Sequence, residues 1–166
     1  MLKRVGFDRN IKLEWLDKTA HLLILEEDKG KIKDVLDNCL TEEIKGKESR
    51  RKSINILMRS WVNVKEEHKV RQEKALKLFE KIKGKEKLAL HWCMVILAYE
   101  LFFDVSEIIG KLLNLQNEFS LSTVRRRVYE TWGERSTLYY AIDRVLRSMK
   151  DWGVIEPNAK PGEYIK

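Results

Sequence analysis

Proline and cysteine are scarce in this chain, with two of each among 166 residues and only eight glycines. So few chain breakers favour long helices over many short, turn-linked strands. Cys39 and Cys93 fall in apolar patterns and lack CxxC spacing. That excludes a disulfide framework and predicts two buried free thiols in a reducing compartment. No apolar leader opens the sequence, so no signal peptide is expected and the cytoplasm is the predicted location. The apolar run Leu88–Phe103, LALHWCMVILAYELFF, is shorter than the roughly 20 residues that cross a bilayer. It also carries His91 and Glu100 and follows Lys85 and Lys87. No membrane role is expected.

Catalytic patterns are missing too. His21, His68 and His91 are isolated, and no HExxH or other metal-ligand spacing occurs. Gly30-Lys31, Gly46-Lys47 and Gly84-Lys85 lack the frame of a phosphate-binding loop. No GxSxG and no isolated carboxylate pair is present. The chain reads as non-enzymatic, with no metal, no cofactor and no small-molecule substrate. His91 reads as a hydrogen-bonded core residue.

What the sequence does have is charge. Charged residues make up 36%, the net charge is +7 and the pI about 9.3. Such a balance suits an anionic partner such as nucleic acid. The excess is concentrated: residues 45–87 hold 15 Lys/Arg against 6 Asp/Glu, whereas residues 104–166 hold 10 against 9.

The fold class expected is all-α: a helical bundle over residues 1–103, then a compact module over 104–166 with a small β-hairpin. Met1–Asn10 is short and basic and reads as an extended arm. Apolar spacing predicts helices over Ile11–Glu27, Lys31–Ile44, Ser53–Val64 and Glu66–Ile82. Lys45–Lys52, KGKESRRK, reads as a basic connector. A fifth helix, over Lys85–Phe103, would contain the apolar run and lie buried on every side at the centre of the bundle.

In the module, Asp104-Val-Ser-Glu107 has the form of a capping box for a helix carrying Ile108, Ile109, Leu112 and Leu113. Phe119 suits a very short strand. Ser122–Trp132 is the next helix, Gly133-Glu-Arg a tight turn, and Ser136 or Thr137 the cap of a helix reaching about Asp151. Val154-Ile155 and Glu163–Ile165 would pair across a Pro/Gly turn. Two helices joined by a three-residue turn containing glycine form a helix-turn-helix arrangement. With the hairpin, the order of elements resembles a winged helix over about sixty residues. That resemblance implies that Ser136, Thr137, Tyr140, Arg144 and Arg147 approach the major groove of DNA, that Lys160 at the wing tip reaches phosphate, and that Arg125, Arg126 and Arg127 steer the backbone. Glu130, Glu134, Asp143 and Asp151 nearly cancel these charges, which weakens a module that must neutralise phosphates.

The longer pattern is a helical N-terminal half, a basic helix at Arg51–Trp61, then Trp132…Thr137…Leu146…Trp152-Gly-Val154. It resembles the BrxA-like proteins of BREX phage-defence systems. The resemblance implies a small cytoplasmic DNA-binding accessory protein that grips DNA with both halves, Arg50, Arg51 and Lys52 serving in the first. DNA is therefore the expected partner, with RNA left open. The alternative is a protein-interaction scaffold, with Trp15, Trp61 or Tyr164 as exposed anchors.

Overall fold

The structure is a computed structural model that describes residues 3–166; Met1 and Leu2 of the expected arm lie outside the described residues. The chain divides into two compact units. One is Ile11–Ala98; the other joins residues 3–10 to Tyr99–Lys166.

The unit Ile11–Ala98 contains helices α1 (Leu13–Leu25), α2 (Lys29–Leu40), α3 (Lys47–Trp61), α4 (Lys69–Phe79) and α5 (Lys87–Ala98). Its middle is α3, which packs on α1, α2 and α5. It buries Ser53, Ile54, Ile56, Leu57, Met58, Ser60 and Trp61. The basic stretch expected as a connector is therefore helix from Lys47 onward. Extended backbone at Gly46 starts it, and Glu48 in the first turn complements the helix dipole and binds Arg51. Similarly, Lys29-Gly30 does not break the chain between helices. Asp28 caps α2, its carboxylate accepting from the Gly30 and Lys31 amides at 2.8 and 3.1 Å.

The apolar run is not one helix. α5 ends at Ala98, Tyr99 takes extended backbone (φ −132°, ψ 105°), and a new helix starts at Glu100. Nor is α5 buried all round: it buries only His91, Met94 and Val95. Both cysteines are free, but Cys39 and Cys93 are exposed rather than buried.

His91 is a core residue, fully buried. Its Nδ1 accepts from Trp61 Nε1–H at 3.0 Å, so its own hydrogen sits on Nε2 and is donated to Asp17 at 2.7 Å. Phe79 packs edge-on against both rings.

The second unit runs α6 (Glu100–Leu115), β1 (Glu118–Ser120), α7 (Leu121–Trp132), α8 (Ser136–Asp151), β2 (Glu156–Pro157) and β3 (Glu163–Ile165). The strands form one antiparallel sheet in the order β1-β3-β2, with Phe119 and Pro157 both opposite Tyr164. Apolar residues of α8 recur at helical spacing (Leu138, Ile142, Val145, Leu146, Met149) and are buried together with Val124, Val128, Leu101, Phe102 and Val105. Three local expectations change. Asp104 lies inside α6 instead of capping it, and accepts from Trp132 Nε1 at 2.7 Å. Arg135 holds the cap position of α8 without a side-chain cap, whereas Ser120 caps α7 through the Thr123 amide at 3.1 Å. The penultimate strand falls on Glu156–Pro157 rather than Val154-Ile155, and Ile155 is buried in the core just before it.

Residues 3–10 form no helix or strand, yet they are seated firmly. Phe7 is fully buried, its ring 5.4 Å from Tyr99 and 5.3 Å from Phe102. Asn10 Nδ2 donates to Asp151 at 2.8 Å and its Oδ1 accepts from Ser148 at 3.2 Å. At the other end Arg135 donates to the Lys3 carbonyl at 2.8 Å, and Lys3 Nζ meets Glu100 at 2.5 Å.

Among the described residues, no helix is long and apolar enough to cross a membrane, and no group of three His, Cys, Asp or Glu could hold a metal ion.

Candidate nucleic-acid interface

The exposed side of α8 begins at Ser136 and Thr137 and continues through Tyr140 to Arg144. Spacings of three and four residues put Thr137, Tyr140 and Arg144 on one helix face. Tyr140 is 65% exposed. This face lines an open depression whose other wall is the seated arm. Lys3, Arg4 and Arg9 of the arm, Arg135 of the turn and Arg144 of α8 all line it, with Asp8 as the acid among them.

These five cations are not equally free. Lys3 is held by Glu100, with Asp104 at 3.8 Å and the Trp132 ring at 5.0 Å. Its hydrogen bond to Glu100 raises its pKa, so it remains a cation. Arg9 turns back on Asp8 at 3.4 Å. Arg4 and Arg144 have no acid within 4 Å among the described residues. Arg135 spends one Nη on the Lys3 carbonyl.

The three consecutive arginines of α7 do not form one surface. Arg125 stacks on the Tyr139 ring at 3.5 Å and reaches the Tyr139 carbonyl. Arg126 is exposed. Arg127 is exposed and lines a second depression with Ile108, Leu112 and Leu115 of α6. Arg147 is tied to Asp143 at 2.8 Å. Lys160, at the hairpin tip, is 80% exposed and 3.9 Å from Glu163.

In the unit Ile11–Ala98 the expected basic trio is mostly committed to structure. Arg50 is nearly buried, its Nε donating to Asp37 at 2.7 Å and its Nη1 to the Ile44 carbonyl at 2.9 Å. Arg51 is engaged by Glu48 at 2.6 Å, and Lys52 is half-buried. The unneutralised charge lies further along. Lys74, Lys77, Lys81, Lys83 and Lys85 are exposed on α4 and the turn after it, and none is within 4 Å of an acid among the described residues. Trp15 and Trp61 are buried, which removes them as exposed anchors; Tyr164 is half-buried beside Phe119.

Reading the sequence missed Lys3, Arg4, Arg9 and Arg135. The signal available was the basic composition of the arm. What was not legible was that this arm lies beside α8, more than 130 residues away in the chain. Comparison of the chain with protein-family models, curated proteins and solved structures gives no match.

Proposed function

We propose that this protein is a non-enzymatic DNA-binding protein whose C-terminal unit works as a winged helix. In this reading α7 and α8 are the helix-turn-helix, β2 and β3 the wing, and α8 enters the major groove. Ser136, Thr137 and Tyr140 offer hydroxyls to base edges and backbone, Arg144 offers a guanidinium, and Lys160 reaches a phosphate from the wing. The observation that carries this reading is the depression beside α8, lined by five cations and one acid, with Arg4, Arg135 and Arg144 unpaired to any acid among the described residues. Phosphate neutralisation supplies most non-specific duplex affinity, so a local excess of cations counts for more than the near-neutral total of the module. The lysines from Lys74 to Lys85 support a contribution from the helical unit. An accessory role in phage defence rests on the resemblance of the sequence pattern alone.

A protein-docking role is the second reading. It is favoured by the apolar depression of Ile108, Leu112 and Leu115, where Leu115 is 85% exposed.

Fluorescence anisotropy with a labelled random DNA duplex, titrated at several salt concentrations, tests the first reading. Saturable binding that weakens steeply with salt is expected. Absence of binding at low salt overturns it and leaves protein docking. An RNA duplex of the same length, titrated alongside, separates the two nucleic acids.

A further inference from the structure

We propose that Arg4, Arg135 and Arg144 together form a phosphate clamp, gripping one strand of the duplex backbone beside α8. The proposal rests on the DNA-binding reading and specifies which groups make its backbone contact. Three separated segments supply the clamp: the arm, the turn before α8, and the third turn of α8. All three arginines line the same depression.

Guanidinium groups suit this task, because their planar fork of donors matches two phosphate oxygens at once. The neighbouring cations have other work. Lys3 is occupied by Glu100 and Asp104, and Arg9 by Asp8. The Lys3 pairs hold the arm to α6, and the Arg9–Asp8 pair lies within the arm. Arg4 and Arg144 have no acid within 4 Å among the described residues, and Arg135, whose Nε is buried and whose Nη2 donates to the Lys3 carbonyl, keeps its Nη1 group. Thr137 and Tyr140 line the same depression. The seat of the arm is made before any ligand arrives. Phe7 is buried, and Asn10 is bonded to Asp151 and Ser148. Binding therefore need not order this segment, a saving in association free energy.

The test is the anisotropy titration with the labelled random duplex on the full chain, comparing Arg4→Ala, Arg135→Ala and Arg144→Ala with the unaltered protein. Each variant is expected to bind more weakly and to make the plot of log affinity against log salt shallower by about 0.9, the loss of one phosphate contact. Lys111→Ala, an exposed residue paired with Glu107 on α6, should leave the slope unchanged. Arg4→Ala and Arg144→Ala break no ion pair among the described residues, so they decide the matter if Arg135→Ala loosens the arm; a circular-dichroism melt identifies that case. Wild-type slopes in Arg4→Ala and Arg144→Ala, while the unaltered protein binds, overturn the clamp and leave the DNA reading standing. No duplex binding by the unaltered protein overturns both.

Discussion

The bond from Trp61 to His91 shows how a polar pair is kept inside an apolar core. Neither partner can exchange the other for water, since both residues are fully buried. Replacing His91 by Leu leaves the indole N–H without an acceptor, a loss of about 1–3 kcal/mol on top of any packing change. Adding Trp61→Phe removes the orphaned donor, so the double variant should cost less than the sum of the two single ones; urea denaturation of the four proteins measures this coupling. Glu43 acts at the surface in a different way. Hydrogen bonds from Lys12 and from Trp15 Nε1, the latter at 3.0 Å, hold its carboxyl below the usual carboxylate range. A depressed pKa means that the bonded form favours folding above the unfolded value of about 4.3, and that this contribution disappears as pH falls through the folded value. Glu43→Gln should therefore narrow the difference in urea midpoint between pH 7 and pH 3.

The turn between α7 and α8 is the element on which the proposed site depends. Gly133 sits at φ 73°, ψ 152°, a conformation almost confined to glycine. A Cβ there would meet no atom within 4 Å, so any penalty for Gly133→Ala comes from backbone strain. That substitution should cost about 1–3 kcal/mol and lower the melting temperature. The sequence made these helices legible through their apolar spacing: Val124, Val128 and Trp132 on α7, and Leu138, Ile142 and Val145 on α8, are all buried. It misjudged the apolar run at Leu88–Phe103 because composition cannot show where a helix stops. Tyr99 leaves helical geometry there and packs on Phe7, a residue 92 positions earlier. It also read Arg50 as a binding residue, although Asp37 and the Ile44 carbonyl occupy its donors. Charge is visible in a sequence, but the partner that neutralises it is not.

For the molecule as a whole, the boundary matters most. A division at 103/104 would leave Leu101 and Phe102, both fully buried, outside the module they belong to. A fragment of residues 104–166 also lacks Phe7 and Tyr99. It should show no cooperative thermal transition by near-ultraviolet circular dichroism, whereas the full chain should. Distribution of charge changes with the boundary as well. The arm brings three Lys/Arg against one Asp to a segment otherwise close to neutral. Finally, consider the order in which a ribosome delivers this chain. Asn10 leaves the exit tunnel 141 residues ahead of Asp151, the side chain it will bind. At roughly 5–20 residues per second, that is an interval of roughly 7–30 s. During it, residues 3–10 lack their partners in α8 while the five-helix unit, Ile11–Ala98, emerges and becomes long enough to fold. Residues 3–10 therefore complete their contacts only once α8 has been made.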